Sequence, residues 1–310
     1  MRVLLAPDKF AGTLSSVEVC EAVAAGWHDV AASDHVTSAP MADGGPGFIA
    51  ALAAASAVTP RVISTVGPHG ESVSAQMLIV DAERPTAFLE AASCCGLELA
   101  ADPRRPLEAS SLGVARLIEA AITAGATRIV VGVGGTATTD GGRPVYEALS
   151  KSLPLGLDLV AATDVDNPLL GPAGAARSFG PQKGATEAQV AALEQRLSAW
   201  AAGANTDPST PGAGAGGGLA FGLLRLGARR VSGAAVVAEA IDLDGQISGV
   251  DLVVTGEGGL DFSSLRGKVV AHVAARAQAL AVPCLALTGY SHVGRREAAS
   301  AGIDEIYSLV

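Results

Sequence analysis

The stretch Leu252-Val253-Val254-Thr255-Gly256-Glu257-Gly258 decides the fold. Its first four residues are apolar or β-branched and show no polar alternation, the pattern of a strand covered on both faces in a parallel sheet. A carboxylate set between two glycines follows at once. The same form recurs on either side. Residues 284–287, 129–133 and 3–6 read as further buried strands, and the last is followed by Asp8 and Lys9. Helix patterns lie between them. Ser15 to Glu18 forms a capping box, in which Ser15 serves an orphan N–H and Glu18 reaches back; it predicts a helix to about residue 28. Thr186 to Gln189 predicts another to about 202, and a third spans about 110–124, closed by Gly125. The final third reads strand, helix, strand, helix, strand, which implies an α/β fold with a doubly wound parallel sheet.

Residues 61–91 break this pattern. From Ser72 to Val80, Val73, Ala75, Met77 and Ile79 share one face while Ser72, Ser74 and Gln76 share the other, after a turn at Gly67-Pro68-His69-Gly70. That alternation predicts an antiparallel hairpin with one wet face. We therefore expect a discontinuous domain of residues 1–60 plus 235–310, with an inserted mixed α/β domain at 61–234.

The 310 residues are 49% hydrophobic, 17% charged and 4% aromatic, with mean hydropathy +0.38, so a sizeable core of small aliphatic side chains is expected. A net charge of −10 argues against nucleic-acid or anionic-membrane partners, because attraction to phosphate needs a positive surface. Neither a signal peptide nor a membrane-spanning run is legible. Cys20, Cys94, Cys95 and Cys284 show neither metal spacing nor a disulfide framework, which suits a reducing cytoplasm. A homodimer is left open. Of the 21 basic residues only Lys9, Lys151, Lys183 and Lys268 are lysines.

Acidic residues with neighbouring glycines follow strand after strand: Asp8, Asp43 with Gly44-Gly45, Asp140 with Gly141-Gly142, Asp164 with Asp166, and Glu257. Asp-Gly pairs also simply make turns and cap helices. In open α/β sheets, however, ligands bind beyond the carboxyl ends of the strands. Carboxylates gathered there would repel one another without a cation, a need that Mg²⁺ with a nucleotide meets. Two segments are Gly-rich. Gly212 to Gly217 matches G-x-G-x-x-G but follows a loop, so it fails the dinucleotide context; with Gly214 it can still direct N–H groups at a phosphate. Gly134, Gly135 and Thr136 do follow a strand. Three of the four lysines, Lys9, Lys183 and Lys268, fall in such loops, where phosphoryl transfer would use positive charge.

Taken in order, Ala6-Pro7-Asp8-Lys9-Phe10, Met41-Ala42-Asp43-Gly44-Gly45, Gly134 to Gly142, Asp164-Val165-Asp166-Asn167-Pro168-Leu169, Phe179 to Ala185, Pro211 to Gly218 and Thr255 to Gly258 resemble the type-1 bacterial glycerate kinases. The resemblance covers nearly the whole chain. It implies a Rossmann-like domain with a mixed second domain, and ATP-dependent phosphorylation of D-glycerate, with 2-phosphoglycerate the expected product. It also implies site residues. Lys9 and Lys268 would meet glycerate carboxylate or ATP phosphates. Asp43, Asp164 or Asp166 would hold Mg²⁺, Asp43 and Asp164 foremost, or accept the hydroxyl proton. Gly134, Gly135, Thr136, Lys183, Gly212, Gly214 and Glu257 would line the nucleotide, and Asp8, Asp140 and Asp261 the substrate. Together these groups would converge on one cleft.

The chain departs from the family pattern at three places. Ala11 stands where the family usually has Lys, Gly259 where it usually has Arg, and Phe262-Ser263-Ser264 where x-Q-T is usual. The connection between Leu149 and Asp158 is also shorter. Two other readings of the same residues remain: a catalytically impaired relative that binds a small hydroxy acid or nucleotide, and a nicotinamide-dependent oxidoreductase.

Overall fold

The computed structural model describes residues 1–80, 83–100, 104–265 and 267–310; Arg266, the first residue of the Arg266-Gly267-Lys268 loop, lies outside them. Eleven strands are present among the described residues. In chain order they are β1 (Arg2–Leu5), β2 (His35–Ser38), β3 (Arg61–Val66), β4 (Ser72–Val80), β5 (Thr86–Glu90), β6 (Arg128–Gly132), β7 (Asp158–Ala162), β8 (Arg229–Val231), β9 (Leu252–Leu260), β10 (Cys284–Ser291) and β11 (Glu305–Ser308). They form two sheets. Two compact units result, one of Met1–Asp43, Ala50–Ala57 and Ser232–Val310, the other of Gly44–Ile49 and Val58–Val231.

The first unit is a Rossmann-like, all-parallel sheet in the order β11-β10-β9-β1-β2. Winding runs outward from the middle, to β2 on one side and to β10 and β11 on the other. The topological switch point therefore lies between β1 and β9. Right-handed crossovers put α1 (Ser16–Val30) and the Val269–Ala279 helix on opposite faces. Val3, Leu5, Val254 and Cys20 pack together beneath α1. The Ser15 capping box is formed, with Glu18 N–H donating to Ser15 Oγ at 3.3 Å and Ser15 N–H donating to Glu18 Oε2 at 2.8 Å.

The strand foreseen at 252–255 runs on to Leu260, so Glu257 lies within β9 and not in a loop beyond it. Its partner makes the difference: β10 pairs with β9 as far as Ser291 opposite Leu260, and that ladder keeps the glycine-rich segment extended.

The second unit is mixed, in the order β3-β4-β5-β6-β7-β8, antiparallel from β3 to β5 and parallel from β5 to β8. Strand β4 alternates as its sequence predicts as far as Met77: Ala75, Met77 and Ile79 are buried, while Ser72, Ser74 and Gln76 face solvent; Leu78, on the second face, is buried as well. Ala75, Met77 and Ile79 join Val114, Leu117 and Ile118 of the Leu112–Thr123 helix in the main core. Thr186 caps the Glu187–Ala201 helix with Gln189, again as a capping box. No helix among the described residues is long and apolar enough to cross a membrane.

Close backbone approach governs the glycine-rich loops of this unit. Gly217 has φ +67°, and a Cβ there would strike Thr138 O and come within 2.8 Å of Lys183 Nζ. Gly203 also has positive φ, +72°, but nothing lies near its Cβ position. We expect Gly203→Ala to cost about 1–2 kcal/mol from backbone strain alone, and Gly217→Ala to cost clearly more, both read from urea unfolding. Ser15→Ala should cost about 1 kcal/mol in the same assay.

Candidate functional site

The first unit assembles its candidates at the switch point. Beyond β1 the chain stays clamped: Ala6 N–H donates to Val254 O and Asp8 N–H to Gly256 O, each at 2.8 Å, while Met41 N–H donates to Pro7 O at 2.9 Å. Residues following β1 and β2 are thus stitched beside the middle of β9. Asp8, Lys9, Asp43 and Glu257 become neighbours although they are far apart in sequence. Lys9 Nζ stands 3.1 Å from Asp43 Oδ1 and 3.8 Å from Asp8 Oδ1, and Lys9 N–H donates to Asp8 Oδ1 at 2.8 Å. Lys268 sits at the N-cap position of the Val269–Ala279 helix.

Electrostatics here are those of crowded, half-dried acids. Burial pushes the Asp8 carboxyl up to about 7; the Asp43 charge adds to this, and Lys9 opposes it. Glu257 is also raised, by burial first, with the Ser264 hydroxyl and Lys268 acting against it. Its Oε1 is buried without a hydrogen-bond partner. Asp261 behaves differently. Its Oδ1 accepts from Ser263 Oγ at 2.6 Å and Ser263 N–H at 2.7 Å, which holds it below the usual carboxylate range.

Among the described residues no three acidic, histidine or cysteine side chains gather closely enough to hold a metal unaided. Mg²⁺ ordinarily takes one or two carboxylates and completes its shell with water and phosphate oxygens. Asp43, beside a carboxyl whose ionisation is already penalised, suits such partial coordination.

The second unit holds the glycine-rich loops, and there the structure gives many of the candidates inward-facing work. Gly134 N–H donates to Gly44 O at 3.0 Å and Gly214 N–H to Asn167 O at 2.9 Å, so neither amide is available to a phosphate. A Cβ on Gly134 would sit 2.7 Å from Gly45 Cα, one on Gly135 2.5 Å from Pro46, and one on Gly212 2.6 Å from the Arg230 side chain. Thr136 is buried and bridges to Gly96. Asp140 accepts from Ser111 N–H at 2.7 Å, Ser111 Oγ at 3.1 Å and Gly142 N–H at 3.0 Å. It anchors the start of the Leu112–Thr123 helix to its own loop.

Lys183 is only 4% exposed; its ammonium donates to Thr138 O and, at 3.5 Å, to Thr136 Oγ1. Burial lowers it to about 8. Asp164 follows β7 and is half-buried. Asp166 is exposed and pairs with Arg230 at 2.6 Å.

Sequence reasoning noted Ser264 only as a departure from the family pattern, whereas in the structure it holds the Asp261 turn; two further residues that matter here it passed over. Ser111 was visible only as a helix start. Arg230 carried no local signal. At Gly259 a Cβ would fall against the Tyr290 ring across the β9–β10 ladder.

Asp8 yields a stability test. Its folded pKa lies above the unfolded value, near 3.8, so the protonated carboxyl favours the folded state. That contribution is complete below the unfolded value and is lost as pH rises through about 7. The thermal midpoint should therefore fall between about pH 4 and pH 7, and Asp8→Asn should flatten that fall. An unchanged slope in the variant would show that Asp8 is not responsible.

The model of the glycerate kinase family matches residues 3–154 and 150–310; the two stretches meet inside the connection between Leu149 and Asp158. Glycerate 2-kinase of Escherichia coli is 36% identical over 346 positions, covering 100% of this chain and 91% of that enzyme. An uncharacterized protein of Mycobacterium bovis is 44% identical, covering 100% of this chain and 84% of that protein. The crystal structure of putative glycerate kinase 2 from Salmonella typhimurium LT2 superposes with a TM-score of 0.81 at 31% identity, covering 99% of this chain and 90% of that one. The chain belongs to the glycerate kinase family.

Proposed function

We propose that this chain transfers the γ-phosphoryl group of ATP to a hydroxyl of D-glycerate, with 2-phosphoglycerate the expected product. The observation that carries the reading is the Asp8, Lys9, Asp43 and Glu257 cluster at the sheet's switch point, in a chain of this family. The hydroxyl oxygen attacks the γ-phosphorus, the bond to the β,γ-bridging oxygen breaks, ADP departs, and the hydroxyl proton passes to a carboxylate. Such a reaction asks the protein mainly for positioning and charge neutralisation.

Lys9 and Lys268 supply positive charge toward the glycerate carboxylate or the phosphates. Asp43 accepts the proton or ligates Mg²⁺, with Asp164 and Asp166 the other acids in the proposal. When bound, Mg²⁺ neutralises charge building on the transferred group. Glu257, Asp261 and Asp8 line the substrate and nucleotide side. Lys183 and Asp140 act at one remove, since their hydrogen bonds fix the shape of the loop that carries Gly135 and Thr136. The proposal keeps residues 61–234 as a domain inserted into one made of 1–60 plus 235–310.

A coupled assay tests this directly. ADP release that requires both D-glycerate and Mg²⁺ supports the kinase; binding of glycerate or ATP without release would point to an impaired relative, a reading favoured by Gly259 standing where the family usually has Arg. Lys268→Ala and Asp43→Asn should each lower turnover at least about a hundredfold, the scale of a lost transition-state electrostatic contact. Wild-type rates in both would overturn the assignment.

A further inference from the structure

On the face of the first unit's sheet away from α1, the cover stops before the strands do. Register sets Thr255 opposite Ala286, Glu257 opposite Thr288 and Gly259 opposite Tyr290. Residues two apart along a strand share a face, so these six form three successive steps on one row. The first steps are dry: Thr255, Ala286 and Thr288 are at most 1% exposed. Glu257 is half-buried, and Tyr290, one step farther on, is 49% exposed. The Val269–Ala279 helix, with Lys268 at its N-cap, packs on this face.

A single exposed aromatic side chain needs no explanation, but the setting of Tyr290 is specific. A Cβ on Gly259 would strike the Cζ and hydroxyl oxygen of Tyr290, so the phenol reaches across the β9–β10 ladder and its tip lies over the glycine backbone. Only glycine leaves room there. The His292 ring stands against it, with centroids 5.2 Å apart and planes tilted by 50°. Backbone beneath and imidazole beside it hold the ring in place, while half of its surface stays open to solvent at the carboxyl end of the sheet. Ligands of open α/β sheets bind at that end.

We propose that Tyr290 is the stacking platform for the adenine base of the nucleotide, one step along the row from Glu257. The proposal rests on the kinase reading above and gives the base a place within it. A flat ring fixed by its surroundings recognises another flat ring through its face, and aromatic side chains stack on bases in this way. Of the two substrates in that reading only ATP carries a ring; glycerate has none. The same row carries Glu257, and Lys268 caps the helix packed on it.

Equilibrium dialysis with Mg²⁺ and two probes tests this: ADP, and pyrophosphate, which has the phosphates without the base. Tyr290→Leu keeps an apolar cover over Gly259 but removes the ring, and should weaken ADP binding about five- to tenfold while leaving pyrophosphate binding unchanged. Tyr290→Phe should bind both as the wild type does. Equal losses for the two probes, or a lowered melting temperature with ADP affinity intact, overturns the proposal, because the ring would then serve only to cover a glycine in the sheet. A measurement on the wild-type protein does not depend on how the variants fold. Saturating ADP should slow nitration of Tyr290 by tetranitromethane several-fold and pyrophosphate should not, with Tyr307, 58% exposed on β11, reacting alike throughout. A Tyr290 that ADP leaves equally reactive overturns the platform alone. Wild-type protein that binds no ADP overturns the kinase reading itself.

Discussion

Everything in the first unit depends on the parallel pairing of β1 with β9. It sets Val3 opposite Leu252 and Leu5 opposite Val254, and it is reinforced by Thr255 Oγ1 donating to Ala6 O and by Arg2 pairing with Asp251. Those residues lie near opposite ends of the chain. Without this seam there is no switch point, because the winding outward to β2 and outward to β10 would share no centre. With it, an acid just past the end of β1 and an acid within β9 are fixed at neighbouring positions, and Lys9 is held beside the first.

That geometry has an electrostatic consequence. Asp8 and Glu257 are both raised by burial, and Asp43 adds like charge to each. Lys9 relieves this only in part. A site of this kind is poised for ligands that bring cations with them and that withdraw the remaining water, since each added positive charge lowers the cost of keeping the acids ionised. The second unit contributes rigidity of another sort. Its loops approach so closely that backbone meets backbone, and its one buried lysine is spent on carbonyl and hydroxyl oxygens of the 134–142 loop.

Much of this was legible in the sequence where the signal is local. Both capping boxes formed as spelled, because Ser15 with Glu18 and Thr186 with Gln189 need nothing beyond four consecutive residues. The alternation of β4 was equally plain. Glu257 was misplaced as a loop residue because the length of β9 is set by its ladder with β10 and not by its own propensities. Lys183 reads in sequence as a loop charge for a nucleotide, yet it is buried with its ammonium donating to Thr138 O and Thr136 Oγ1, partners 45 and 47 positions away that no local pattern reveals. Nothing near Asp140 reveals that Ser111 will take its carboxylate, 29 positions away. The glycines signalled close approach, but not that the approaching partner would be the protein's own backbone.

The seam between β1 and β9 also imposes an order on synthesis. Residues 58–231 form one uninterrupted stretch of the second unit and can complete their sheet as they leave the ribosome. The first two strands emerge earlier but must wait for a partner 249 positions downstream, as the bond from Thr255 to Ala6 shows. At ordinary elongation rates that delay is on the order of 10–50 s. During it, Val3, Leu4 and Leu5 stand as a nascent edge without a neighbour on one side, so this short segment is where the newborn chain most needs shielding from premature association.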